Sequence, residues 1–452
     1  MGGNFKRKSL KQLAWPIFIE ISLFMLMGTV DTFMLSAYSD SAVAAVGMSN
    51  QVISLIAVMF NFVSAGTVIL MSQNLGANNQ TKASEIGVVS IGANAIIGGI
   101  LSIIMVTCSK YILQFMNTPM EIMDTTVTYT NIVGSFLFLM AIQPVLSGIL
   151  RSYGYTKHSM IITLIANIIN VFGNAVFIYG LLGVPELGPI GVAISTVFSR
   201  FVSIGLITLV ILKKINFTCS DGFFKRLPVE DIKNILKIGV PSALEQVAYS
   251  SSQVVILSFV SLLGTLAITT RVYTSNLSMF IYLFSLAIAQ ANQILVGYLI
   301  GEQREDDVYH QTFKTQALAV SVSILLSIVA YFSSDLLFSI FTDDTSILSL
   351  GKTLLLVNIL LEIGRASNLV LTHALKAAGD INYPFIFGIV GMWIICIPVA
   401  YLLAIHFNLG LAGIWIAFAI DECFRGIIFT FRFKGKKWRN KAFVLQSASS
   451  SY

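Results

Sequence analysis

Charge is what this chain has least of. Only 11% of its 452 residues are charged while 56% are hydrophobic, and the mean hydropathy is +0.83. A soluble globular chain carries about 25% charged residues, so the deficit excludes a surface bathed wholly in water and points to one that faces hydrocarbon. Cysteine is scarce as well. Cys108, Cys219, Cys396 and Cys423 stand far apart with no CxxC pair, which leaves zinc, redox and disulfide-framework readings without support; reduced or buried apolar thiols fit better. There is no Walker A sequence and no HExxH, and the four histidines are scattered. An ATP-driven pump would need the first, and an intramembrane enzyme would need a clustered nucleophile and base or a metal constellation. Neither is seen, so the sequence predicts a non-enzymatic protein without a cofactor.

What the chain does have is long apolar runs. Crossing about 30 Å of hydrocarbon takes about twenty helical residues. Such stretches fall at about 14–37, 44–73, 85–108, 123–149, 158–181, 189–212, 236–260, 265–298, 313–334, 347–374, 382–406 and 409–431. A membrane β-barrel would instead show segments of about ten residues with alternating polarity. The expectation is an all-α polytopic membrane protein with twelve transmembrane helices.

The formal charge of +6 is not spread as a nucleic-acid binder would spread it. Lys6, Arg7, Lys8 and Lys11 precede the first span, Lys213, Lys214, Lys225, Arg226, Lys233 and Lys237 lie mid-chain, and a third group runs from Arg432 to Lys441. Cytoplasmic segments are enriched in Lys and Arg. With the N-terminus inside, they hold 22 of the 28 basic residues, leaving Lys110 and Lys352 outside and Arg200, Arg271, Arg365 and Arg425 within spans. Both termini are therefore expected in the cytoplasm of a cell bounded by this membrane. The basic N-terminal stretch lacks a small-residue cleavage site and reads as the lead-in to a retained helix.

The chain also repeats itself at an offset of 225 residues. Pro16 and Pro241 each open a span, Glu20 and Glu245 follow four residues later, and Gly76 and Gly301 end the second span of each half. Arg151 and Gly154 in LRSYGYT match Lys376 and Gly379 in LKAAGDI, and Arg200 matches Arg425. Self-similarity of this kind fixes architecture. It predicts two pseudo-symmetric six-helix bundles in one orientation, the arrangement in which transporters hold substrate between repeats. The expected boundaries are an N-terminal lobe at 1–212, a cytoplasmic linker at 213–235, a C-terminal lobe at 236–432 and a cytoplasmic tail at 433–452, whose final SASSSY reads as disordered.

A charge inside hydrocarbon costs about 2.5–3.5 kcal/mol on insertion scales and usually marks an ion path or a paired structural site. Asp31 lies deep in the first span. Glu20 lies 11 residues earlier, about three turns plus 20°, so both carboxylates share one face. They are candidates for a protonatable or cation-binding site. Asn167, Asn170 and Asn174 in the fifth span also share a face and suit either a cation ligand set with Asp31 or ordinary interhelical hydrogen bonds. Glu245, Tyr249, Gln253 and Ser252 in the seventh span form a second polar group. Glu362 with Arg365 and Asp421 with Arg425 have the spacing of in-helix ion pairs, whereas Arg271 has no partner nearby in sequence and would snorkel to the interface. The methionines of the first two spans, among them Met27 and Met34, suit either an adaptable wall or plain apolar filler.

The runs GTVDTFMLSAYSDSAVAAVG, LRSYG with its repeat LKAAGD, and LGPIGVAIST resemble multidrug and toxic compound extrusion (MATE) transporters, and the resemblance covers essentially the whole chain. It implies an antiporter that exports lipophilic, often cationic, small molecules in exchange for H⁺ or Na⁺ by alternating access of two lobes. Asp31 matches the family's first-helix aspartate and Asn170 a polar cation-site position. Asn174 stands where one branch has a second aspartate, and Tyr249 where a sodium-coupled branch has a glutamate, with Glu245 about one turn earlier. The expected coupling set is thus Asp31, Glu20, Asn170 and Asn174, with Na⁺ at Asp31, Asn170 and Asn174 if sodium is the ion. The expected cavity set is Met27, Met34, Asn61, Glu245, Tyr249 and Gln253, in a functional monomer within a lipid bilayer. The rival is a lipid or lipid-linked oligosaccharide flippase. It would need several basic residues in the N-terminal spans, where Arg200 is the only one.

Overall fold

A computed structural model describes residues 8–221, 223 and 228–444. Among these residues every regular element is helical. The helices are α1 (Leu10–Ser36), α2 (Asp40–Gly76), α3 (Gln80–Phe115), α4 (Met120–Ser135), α5 (Leu137–Ser152), α6 (Thr156–Ile178) and α7 (Pro189–Lys214), then α8 (Val229–Leu262), α9 (Thr265–Gly301), α10 (Glu305–Phe332), the short α11 (Ser334–Ser339) and α12 (Thr345–Ala377). The last two spans are a composite helix over Asn382–His406, in which α13 (Asn382–Val390) and α14 (Ile397–Tyr401) are interrupted by π-helical turns, and α15 (Gly410–Lys434).

Among the described residues nine helices are long and apolar enough to cross a membrane, and α4 with α5 makes a tenth, bent by 47°. The bend sits at Phe136, where the bonds Phe136 N–H to Val133 O and Leu139 N–H to Phe136 O both close over three residues, a local tightening that redirects a helix. The long helices α8 and α15 complete twelve. They are more polar than the rest because α8 carries Glu245, Gln246, Ser250, Ser251, Ser252 and Gln253, and α15 carries Asp421, Glu422 and Arg425. Large apolar side chains lie outside, with Phe115 90%, Phe332 80% and Phe33 77% exposed, as expected where the surrounding solvent is oil. Small hydroxyl residues lie inside and join neighbouring helices: Ser49 to Thr130 at 2.8 Å and Ser285 to Ser323 at 2.7 Å. Such pairs let backbones approach closely.

The chain forms two compact units, Met1–Leu75 with Asn79–Gly239, and Gly76–Asn78 with Val240–Tyr452. In the first, α6 packs on α1 and α7, and α3 packs on α5 and α4. Its apolar core includes Leu35, Phe60, Leu113 and Leu137. In the second, α12 is the hub, packed on α9, α10 and α15.

Two expected boundaries shift. Helix α8 begins at Val229, inside the segment expected to be linker, because Glu230 and Asp231 in its first turn favour a helix start. The segment after α15 is no loose tail where it is described. Trp438 is fully buried and stacks on Phe433 at 5.0 Å, and Arg439 pairs with Glu305 at 2.9 Å. The final SASSSY lies outside the described residues, as do Lys6, Arg7, Lys225 and Arg226.

The repeated glycines close matching helix ends. Gly154 has φ +78° and Gly379 φ +90°, the left-handed region that glycine enters without penalty. Around each, the same pair of bonds ends the helix: Gly154 N–H to Arg151 O with Tyr155 N–H to Leu150 O, and Gly379 N–H to Lys376 O with Asp380 N–H to Leu375 O. That pattern satisfies the last free carbonyls of a helix.

Candidate ion site

In the first unit, α1 and α6 bring the predicted residues together. Asp31 is 8% exposed, and Asn170 and Asn174 are fully buried. Asn174 Nδ2 donates to Asp31 Oδ1 at 2.6 Å and to Asn170 Oδ1 at 3.4 Å. Asn170 Nδ2 donates in turn to Thr196 Oγ1 on α7 at 3.3 Å. Thr196 was not singled out by the sequence reading, since a lone threonine in an apolar helix carries no signal of its own. Arg200, one turn beyond Thr196, and Tyr129 share the electrostatic surroundings of Asp31. No Lys or Arg nitrogen among the described residues lies within the 4.0 Å of an ion pair with it. Asn174 Oδ1 is buried with no hydrogen-bond donor. The result is a buried group of oxygen donors, one of them a carboxylate with no cation at ion-pair distance, and hard oxygens are what a proton or a small hard cation prefers.

Glu20 does not join this group. It shares the face of α1 with Asp31, but 11 residues of helix place it about 16 Å lower. There Arg151 holds it, Nη2 to Oε1 at 2.9 Å and Nε to Oε2 at 3.2 Å, and Ser159 donates at 2.8 Å. Its charge is already compensated, so the expectation of a shared two-carboxylate site is corrected.

The expected cavity residues also separate. Met34 packs into the apolar core of the first unit. Met27 is half-buried, and Asn61 is exposed with its amide on Ala57 O of its own helix at 2.9 Å. In the second unit Glu245 is tied to Lys376 Nζ at 2.6 Å, which removes it as a free cavity carboxylate. Tyr249 is 44% exposed. Gln253 Oε1 accepts from Arg271 Nη2 at 3.1 Å, so Arg271 has a partner one helix away where the sequence suggested none.

The second unit gathers its remaining charges into one network. Arg365 pairs with Glu362 at 2.5 Å and with Glu422 at 3.6 Å. Arg425 pairs with Asp421 at 2.7 Å and with Glu422 at 3.2 Å. Asn368 Nδ2 donates to Glu422 Oε2 at 2.7 Å. The two in-helix pairs read from the sequence are both present. Glu422, adjacent in sequence to one of them, is the bridge the spacing argument overlooked.

Twelve long helices in two repeats, with one buried carboxylate outside any ion pair in the first, define a polytopic membrane transporter. The comparison with known proteins agrees. The MatE family model matches residues 16–176 and again 241–402, starting 225 residues apart, and the chain belongs to the MatE family. The uncharacterized transporter YisQ of Bacillus subtilis is 41% identical over 437 residues, 96% of each chain. The probable multidrug resistance protein NorM of Thermotoga maritima is 29% identical over 96% of this chain and 94% of its own. Among solved structures, a MATE crystal structure in the bent conformation matches with a TM-score of 0.87 at 20% identity, covering 98% of this chain and 96% of that one. This last likeness supports the fold.

Proposed function

We propose that the chain is a secondary-active exporter of lipophilic and cationic small molecules, driven by exchange for H⁺ or Na⁺, with Asp31 as the coupling carboxylate. One observation carries this reading. The described residues include seven buried acids: Glu20, Asp31, Glu85, Asp231, Glu362, Asp380 and Asp421. Six are ion-paired, and Asp31 is the exception. Arg200 acts on Asp31 only from beyond ion-pair distance, and a buried carboxylate outside any ion pair favours a mobile cation or a proton, because a bare charge in this medium is penalised heavily. Asn174, Asn170 and Thr196 supply further oxygens for Na⁺ if sodium is the ion.

Coupling then requires ion and exported compound to favour different members of one conformational equilibrium. The relatives named multidrug resistance protein NorM support the choice of substrate class. The few basic residues of the N-terminal spans weigh against a pyrophosphate-bearing lipid as substrate. The positive-inside pattern supports a cell-membrane location with both termini cytoplasmic and small molecules as the only partners needed.

The test uses protein reconstituted in liposomes, with efflux of a cationic dye followed under separately imposed proton and sodium gradients. Asp31→Asn should lose at least about tenfold in ion-driven rate while folding normally; undiminished efflux refutes the assignment. Topology is checked at Cys219, in the segment after α7, where burial and then nearby Glu85 push the thiol pKa up. An impermeant maleimide applied at mildly alkaline pH should label it in inside-out vesicles and not in intact cells.

A further inference from the structure

Helices α1 and α6 are joined by a ladder of four polar contacts. From the cytoplasmic end of the proposed topology, Thr156 Oγ1 donates to Gln12 O at 3.2 Å, Ser159 Oγ to Glu20 Oε1 at 2.8 Å, Asn167 Nδ2 to Leu23 O at 2.8 Å, and Asn174 Nδ2 to Asp31 Oδ1 at 2.6 Å. The lowest rung has a local cause. Pro16 lies inside α1 and has no N–H to give to the carbonyl four residues back; the Thr156 hydroxyl supplies that missing donor. A helix so interrupted is not held straight by its own bonds alone, and the rungs above must fix it. Glu20 is held on two sides, by Ser159 of α6 and by two charge-assisted bonds from Arg151 at the end of α5, so it fixes α1 against both helices.

The second unit repeats the carboxylate clamp and one rung of this ladder and omits the top. Glu245 pairs with Lys376, both at the 225-residue offset from Glu20 and Arg151. Trp393 Nε1 donates to Ala248 O at 3.1 Å, and Ala248 is the counterpart of Leu23. At the places of Asp31 and Asn174 stand Ile256 and Val399, both in one apolar cluster. The anchoring pair is thus common to both units, while the ion-site rung exists in one.

We propose that Glu20, clamped by Arg151 and Ser159, is a positioning residue that sets the register of α1 on α6 and so places Asp31 against Asn174. This rests on reading Asp31 as the coupling carboxylate. A partner acting through a ligand residue typically changes ion affinity 10- to 100-fold when removed. In full-length protein reconstituted in liposomes, Glu20→Gln and Arg151→Gln should raise the half-saturating concentration of the driving ion about tenfold, with maximal rate within about twofold. Arg151→Lys, which copies the residue at the matching place in the second unit, should restore it. Lys376→Gln should leave that concentration unchanged. Equal shifts from Lys376→Gln and Arg151→Gln, or lost thermal stability with an unmoved half-saturating concentration, would overturn the proposal.

A second measurement is independent of transport. Cysteines at positions 31 and 174 in a background free of other cysteines are bridged by a short bis-thiosulfonate. Bridging should fall several-fold on adding Glu20→Gln, and an unchanged yield would overturn the proposal. Wild-type protein without ion-driven efflux would instead defeat the reading of Asp31, and the bridging assay would still decide the register.

Discussion

The two units differ in how they treat one buried acid. In the first, Asp31 sits among amides and a hydroxyl with no cation at ion-pair distance. In the second, Glu362, Asp421 and Glu422 are laced to Arg365 and Arg425. The positions that carry Asp31 and Arg200 in one half carry Ile256 and Arg425 in the other. An acid with a permanent partner has little reason to exchange ions, because its counter-charge is covalently part of the fold. An acid without one must find its compensation in solution. The repeat therefore preserves a scaffold, and departures from it mark where transport chemistry is to be sought.

This contrast can be broken by mutation, with effects that should fall in a definite order. Arg425→Met leaves Asp421 and Glu422 facing each other, and stranding a buried charge costs about 3–5 kcal/mol; it should lower the melting temperature in detergent more than any other change considered. Gly379→Ala comes next. It forces a left-handed conformation on a residue with a side chain, roughly 1–2 kcal/mol, and drives the new methyl into Lys441 O, for a total of about 2–3 kcal/mol. Its counterpart Gly154→Ala meets only the flexible Lys8 side chain at 3.1 Å and should lose about 1–2 kcal/mol. Equal losses at the two glycines would mean that the segment around Lys441 does not press on the second unit. Asn167→Ala, which removes one rung, should cost about 0.6 kcal/mol, within reach of careful thermal melts. Smallest of all, Asp31→Asn should change the melting temperature little, since it removes a charge that sits in no ion pair and an Asn oxygen can still accept from Asn174. A large destabilisation there would show that Asp31 is a structural group after all.

Much of this was legible in the sequence, and the part that was not has a physical explanation. Long apolar runs define spans because hydrocarbon sets a minimum length, and all twelve expected stretches coincide with observed helices to within several residues. The Asp31–Asn174 contact was legible because both residues are costly in oil and lie at helical spacing from other polar groups. The Glu20–Arg151 bond was half-legible. Each residue was matched to its repeat at 225, yet the two series were not connected, since 131 residues separate the partners in each half. Two matched positions of opposite sign, repeated together, were the available signal. Met34 misled because lipid-facing, cavity-lining and core methionines have the same chemistry. The docking of Trp438 and Arg439 was illegible, since a short basic stretch after a last span looks the same whether it hangs free or folds back.

One feature of the first unit bears on how the protein is made. Ser220 donates its N–H and hydroxyl to Glu85, Lys82 pairs with Asp231 at 2.8 Å, and the unit closes at Gly239. These fastenings are all supplied by the chain up to that point. With domains generally folding as units in order of synthesis, the first six spans, α1 to α7, can lock before α8 has finished inserting. The ion site, assembled wholly from α1, α6 and α7, would then be in place while half the protein is still unwritten.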